Sequence, residues 1–309
     1  MKKLFIISCL LFICAYIQAQ WTNIQIEPGM SPKNDIISIC FDKQGAMWVA
    51  TSYGVYKEEN GLWKPQGVED IYAQTLYIGR DETVWAGIWG GGVFRYRHGE
   101  TWENVKEASA SIATNTIVET GKDHLWIGTW NKGLLMYDGK KWINYKAAEV
   151  SIGDNSILSL AADDSKIWVG TYHGLSSFDG KNWKLYNRDN SPLPDNDIYS
   201  LHAGKNGLWI GTCNGLAFLQ KGNWTTYPKG KNGISGDIIL SVKEDIKGNI
   251  WVGTNKGLTV FNDAKWKTYT MENSNLLENR IQTITIHDNK IYIGTSLGVS
   301  MLNLSEFAY

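Results

Sequence analysis

Residues 249–270 read NIWVGTNKGLTVFNDAKWKTYT. An aromatic, an aliphatic and a glycine lead into a few polar residues, a second glycine and an alternating run that ends on another aromatic. This unit recurs seven times. Its first aromatic is Trp48, Trp85, Trp126, Trp168, Trp209, Trp251 and Tyr292, at steps of 37, 41, 42, 41, 42 and 41 residues. Its second is Trp63, Trp102, Trp142, Trp183, Trp224, Trp266 and Phe307, which follows 15 residues after the first in five copies, 17 in the second and 16 in the third. A fixed period near 40 is the signature of a repeat architecture.

Each unit holds about four short runs with strand character. In the sixth they are 238–242, 250–253, 258–261 and 265–269, here named A to D. Asp245, Lys247 and Gly248 mark the A–B turn. Gly257 ends the B–C turn, where positive φ costs glycine little. No helical period of apolar residues appears after residue 20. A lone sheet of four short antiparallel strands leaves its apolar faces wet. Radial stacking covers both faces and leaves only short edges. The expected fold is therefore all-β, a seven-bladed β-propeller of four-stranded antiparallel blades forming one domain over 20–309. In it the B-strand indole is buried against the next blade. About 150–250 Å² of such a side chain, at about 25 cal/mol per Å², contributes about 4–6 kcal/mol before entropy.

Every ring must close. Trp21-Thr22-Asn23-Ile24 looks like an orphan D strand and is expected to complete the last unit, locking the two termini together. Phe307 competes for that slot, and Trp21 fits the template better. The second unit deviates: it is short, and Gly90-Gly91-Gly92 replaces the usual single glycine. Residues 1–19 fall outside the repeats. Lys2 and Lys3 precede an apolar run at 4–17, and Ala19 precedes Gln-Trp. This reads as a secretory signal peptide cleaved after Ala19, implying a periplasmic or secreted protein. Lipoprotein readings at Cys9 or Cys14 fit less well, because the runs before them are very short or bulky. Without Lys2 and Lys3, 28 basic residues face 31 acidic ones, a net charge near −3. That argues against nucleic acid as a partner. No later apolar run is long enough to span a bilayer. The mature chain keeps Cys40 and Cys213, in units too distant for a disulfide.

The runs Trp126-Ile127-Gly128-Thr129…Gly133-Leu134, Trp168-Val169-Gly170-Thr171…Gly174-Leu175, Trp209-Ile210-Gly211-Thr212…Gly215-Leu216 and Trp251-Val252-Gly253-Thr254…Gly257-Leu258 resemble the two-component regulator propeller repeat. The likeness extends over essentially the whole mature chain. It implies a periplasmic propeller of the kind found in hybrid two-component sensors of Bacteroidetes, often tied to polysaccharide-derived ligands. Those receptors carry further modules beyond their propellers. This sequence ends at Tyr309, so the expectation is a ligand- or partner-binding propeller, probing its surroundings as a monomer and acting with a separate membrane protein.

The template also isolates candidate functional residues, because structural positions repeat and functional ones need not. Of 15 Trp, thirteen are accounted for by the B strands, the D strands and Trp21. Trp89 and Trp130 are off-template, just before the B–C glycines. Tyr172, followed by His173, takes the same place in unit four, and Tyr53 lies one residue along in unit one. Cys213, Asn255 and Ser296 occupy it in units five to seven. Flat aromatic faces beside polar groups suit sugar rings, and such clusters also form protein hot spots. A second ring is expected from the A-strand starts: Asp35, Thr116, Ser156, Asp197, Asp237 and Arg280. Its carboxylates suit a cation or hydroxyl groups, although Asp and Asn are ordinary turn residues as well.

Catalysis finds little support, and no catalytic residue, metal ligand or cofactor is assigned. His98, His124, His173, His202 and His287 are scattered without metal-ligand spacing. No Gly-x-Ser-x-Gly elbow occurs, and no helix follows Gly90–Gly92 to cradle phosphate. Three readings stand: a non-catalytic propeller that binds a glycan fragment or other small ligand, a scaffold for a protein partner, and a propeller lyase or hydrolase in which His173 and Tyr172 would be the first pair to suspect.

Overall fold

The computed structural model describes residues 21–307 except 109–112, 122–123, 164, 229, 231–232, 263–264 and 306. The signal-peptide reading of 1–19 lies outside the described residues. Seven four-stranded antiparallel sheets stand in a ring. The A strands are Ile36–Phe41, Ala73–Ile78, Thr114–Glu119, Ile157–Ala162, Ile198–Ala203, Ile239–Glu244 and Thr283–His287. The B strands are Met47–Thr51, Val84–Ile88, Leu125–Thr129, Ile167–Thr171, Leu208–Thr212, Ile250–Thr254 and Lys290–Thr295. Trp21–Ile24 pairs with Gly298–Asn303, setting Trp21 opposite Leu302, and so supplies the fourth strand of blade seven. Phe307 lies beyond that strand, its ring 5.0 Å from that of Trp251. Among the described residues, helix is limited to one turn at Ser31–Asn34, with Pro32 in its first turn, and a 3₁₀ turn at Lys106–Ala108.

The repeat motif reads as packing chemistry. The B-strand aromatics are all buried, from Trp251 at 0 % exposed to Trp85 at 9 %. Each joins its own blade to the next: Trp251 clusters with Ile281, Ile284 and Leu302 of blade seven, and Trp48 with Ala73, Leu76 and Val84 of blade two. The indole N–H still needs an acceptor. Asp42, Asp163 and Asp245 of the A–B turns supply it to Trp48, Trp168 and Trp251 at 2.9, 2.8 and 2.9 Å.

The motif glycine exists because blades converge on the axis. A Cβ on Gly128, Gly170, Gly211, Gly253 or Gly294 would stand 2.6–2.9 Å from Cγ2 of an isoleucine at or just before the start of the next blade's A strand, and on Gly170, Gly211 and Gly294 also 2.8–3.1 Å from that residue's carbonyl. Those residues are Ile157, Ile198, Ile239, Ile281 and Ile36. Blade one carries Ala50 at that position, and blade two opens with Ala73; both are fully buried in one cluster. The extra methyl on one side is matched by the smaller side chain on the other.

The motif threonine closes the B–C turn. Thr51, Thr129, Thr171, Thr212, Thr254 and Thr295 donate their hydroxyls to the carbonyls of Gly54, Gly133, Gly174, Gly215, Gly257 and Gly298 at 2.7–3.1 Å. Gly174, at φ +124°, has no room for a Cβ, which would sit 2.3 Å from the Tyr186 carbonyl. Blade two has Ile88 in place of threonine, and its methyl lies 2.8 Å from where a Cβ on Gly91 would be. The triple glycine is thus the backbone's answer to an apolar turn residue.

Six A strands carry a register shift two residues from their start. The shifted residues Ile37, Gln74, Asn115, Leu158, Tyr199 and Leu240, with Gln282 in blade seven, line the upper axial channel together. The next position is a hydroxyl in every blade: Ser38, Thr75, Thr116, Ser159, Ser200, Ser241 and Thr283. These clip neighbours together. Ser38 Oγ accepts from Leu76 N at 3.2 Å, Ser159 Oγ donates to the Ile198 carbonyl at 3.0 Å, and Ser241 Oγ accepts from Ile284 N at 3.1 Å.

The bulge corrects part of the sequence alignment. Thr116 belongs to the hydroxyl tier in the channel wall, and Ala113 takes the strand-start position assigned to it. Asp237 lies one residue too early, the place being held by Ile238.

Candidate functional site

Where the shifted A-strand residues meet the B–C turns, the channel opens into a hollow of about 330 Å³. The turns build its rim. The backbone N–H of Trp89 donates to the Tyr72 carbonyl at 3.0 Å, and that of Trp130 to the Ala113 carbonyl at 2.9 Å. Each B–C turn residue is thereby pinned beside the start of its own A strand, so side chains from both positions crowd one arc.

That arc is aromatic. Successive ring centroids lie 6.5 Å apart for Tyr72–Trp89, 5.7 Å for Trp89–Trp130, 5.9 Å for Trp130–Tyr172 and 6.4 Å for Tyr172–Tyr199. Most approach edge to face, the arrangement favoured by ring quadrupoles. Trp89 remains 49 % exposed and Trp130 38 %. The floor adds Gln74, Asn115 and Gln282, with Arg280 at the edge. Gln282 donates to Asp35 at 2.6 Å. Arg280 is exposed and has no salt-bridge partner among the described residues.

The sequence-derived candidates divide. Trp89, Trp130, Tyr172 and Arg280 come together in the hollow. Tyr53 does not line it: its ring lies 5.6 Å from Lys33 Nζ, and its hydroxyl engages Asp70, which raises its pKa. His173 is 67 % exposed and turned to Asp154, Nδ1 to Oδ2 3.0 Å. Asp35 stands behind Gln282. Asp237 is 3.9 Å from Lys256. Asp197 sits with Asp195 and Cys213, their ligand atoms all within 4.8 Å of one another. Partial burial and then Asp195 raise the Asp197 pKa, while burial and then Asp195 push the Cys213 thiol up to about 11. Asp35, Asp197 and Asp237 thus stand apart in separate local bonds.

Tyr72 and Tyr199 were missed. Tyr72 takes the strand-start position that the second unit's irregular spacing hid. Tyr199 occupies the extra residue of a bulge, and an alternation template assigns that residue to the wrong face. The invariant hydroxyl that follows each bulge was the signal that could have restored the register.

Three stretches, 31–53, 192–214 and 233–256, match the family model described as Two component regulator propeller. No curated protein sequence matches the chain. Among solved structures, the extracellular domain of a candidate hybrid two component system from B. thetaiotaomicron is similar, at 21 % identity and a TM-score of 0.79 over 92 % of this chain and 41 % of that one. The chain thus spans about two fifths of that structure's length. PorZ, a surface component of the type-IX secretion system of Porphyromonas gingivalis, matches at 18 % identity and a TM-score of 0.67, over 88 % of this chain and 46 % of PorZ. Virginiamycin B lyase from Staphylococcus aureus matches at 14 % identity and 0.75, over 93 % and 100 %. At these identities the likeness is one of fold.

Proposed function

From a chain that carries two component regulator propeller repeats, we propose a non-catalytic, exported, sensor-type propeller that binds a glycan fragment in the aromatic hollow and acts with a separate membrane signalling protein. The observation that carries this reading is the unbroken arc Tyr72–Trp89–Trp130–Tyr172–Tyr199 above a floor of amides. The rings offer apolar faces to the C–H side of a sugar, and Gln74, Asn115, Gln282 and Arg280 offer hydrogen bonds to its hydroxyls. No helix among the described residues is long and apolar enough to cross a membrane.

A glycan array followed by calorimetry tests it. The expected result is a bound oligosaccharide whose affinity falls at least tenfold in Trp130→Ala. Undiminished binding by a Trp89→Ala/Trp130→Ala double variant would place the ligand elsewhere. A protein partner is the second reading, favoured by the exposure of two neighbouring indoles at one rim, a hot-spot composition. It predicts that the same variants abolish a protein complex while no glycan binds. A lyase or hydrolase is the third. It rests on the His173–Asp154 pair at the rim, and it requires glycan turnover that His173→Ala abolishes.

A further inference from the structure

The axial channel continues below the hydroxyl ring into a second cavity of about 410 Å³, remote from the aromatic rim. Two residues past each hydroxyl, the A strands present a third tier: Cys40, Tyr77, Val118, Ala161, His202, Lys243 and Thr285. Lys243 and His202 stand side by side on adjacent strands, and both line the cavity. The Lys243 ammonium makes no hydrogen bond or ion pair among the described residues. This tier contains no carboxylate. Glu244 lines the same cavity, but its Oε2 accepts from the backbone N–H of Lys205 at 3.2 Å. His287 pairs with Asp288 at 3.3 Å, and the Thr285 hydroxyl donates to the Ile39 carbonyl at 2.8 Å. Burial lowers the pKa of Lys243. Burial, then the charge of Lys243, lowers that of His202 to about 3.

Lys243 is half-buried, and an ammonium group partly withdrawn from water without a counter-ion is destabilising. A lysine held this way, beside an imidazole N–H and with the Glu244 carboxylate turned to the Lys205 backbone, has the donor set of an anion cradle. We propose that the lower channel is a binding site for a small oxyanion, of the phosphate or carboxylate class, held by Lys243 with His202 as the second donor. The site goes beyond the rim reading and stands or falls separately from it, since no residue is shared between the two.

The probe is inorganic phosphate, titrated by calorimetry into the full folded chain at low ionic strength with chloride as the only other anion. Wild type is expected to bind it, and Lys243→Met to bind it at least tenfold more weakly, with Lys243→Arg recovering most of the loss. In phosphate-free buffer Lys243→Met should melt no lower than wild type, because the variant removes an uncompensated charge. Should Lys243→Met fail to fold, acetic anhydride labelling of wild type gives the same answer: phosphate is expected to slow acetylation of Lys243 at least fivefold relative to surface lysines. Absence of phosphate binding by wild type, equal binding by Lys243→Met, or labelling of Lys243 indifferent to phosphate would each overturn the proposal.

Discussion

The indole N–H of Trp251 donates to Oδ2 of Asp245 at 2.9 Å, with the indole fully buried and the carboxylate 5 % exposed. The same carboxylate accepts from the side chain of Asn249 at 2.7 Å and from the backbone N–H groups of Lys247 and Asn249 at 2.9 Å each. One aspartate thus folds its own A–B turn and satisfies the buried donor that wedges blade six against blade seven. Asp245→Ala leaves those donors without their acceptor and is expected to destabilise the fold by about 2–4 kcal/mol. Trp251→Phe keeps most of the packing and is expected to cost less. Chemical denaturation of both variants measures this, and a near-neutral Asp245→Ala would mean that water replaces the carboxylate.

Stability should fall in acid in two steps. His202 has a folded pKa near 3, far below the usual value of about 6.5. A depressed folded pKa contributes stability above the unfolded value, so this contribution is lost as pH drops from about 6.5 toward 3. The slope approaches at most about 1.4 kcal/mol per pH unit. Below about pH 4 the second step begins. Burial alone would raise the Asp42 carboxyl, but bonds from Trp48, Lys57 and Ala46 hold it below the carboxylate range. Melting curves from pH 8 to 2 should show both steps, and His202→Gln should flatten only the first. A wild-type profile level between pH 6.5 and 4 would exclude the histidine step.

The packing between blades one and two predicts a compensating pair. Ala73→Ile places the usual isoleucine against Ala50, where the other blades offer glycine. Overpacking of this kind costs about 1–3 kcal/mol. Adding Ala50→Gly restores the geometry of blades three to seven and should recover most of the loss. A double-mutant cycle of unfolding free energies measures the coupling. Additive losses would show that the two methyls do not meet.

Two kinds of tryptophan should separate by melting temperature alone. Trp209, at 6 % exposed, packs tilted against Phe218 with ring centroids 4.3 Å apart, and Trp209→Ala should cost about 3–5 kcal/mol. Trp89→Ala and Trp130→Ala remove rings that already face water, so each is expected to shift stability by about 1 kcal/mol or less. A large loss in either would make those rings structural rather than available to a ligand.

The sequence by itself determined the blade count, the strand order, the burial of the seven B-strand aromatics and the closure by Trp21. Each of these follows from a spacing that repeats, and a repeated spacing meets the same neighbours in every blade. It also singled out Trp89, Trp130 and Tyr172, because residues that break a template are visible against it. Only the tertiary structure decided what those rings stand beside. Tyr72 and Tyr199 reach the same arc through an irregular unit and a bulge, and a bulge moves side chains between faces without changing composition or period. The companionship of Lys243 and His202 was invisible for a related reason. They stand 41 residues apart in the chain, and they become neighbours only because the A strands of successive blades converge on one axis.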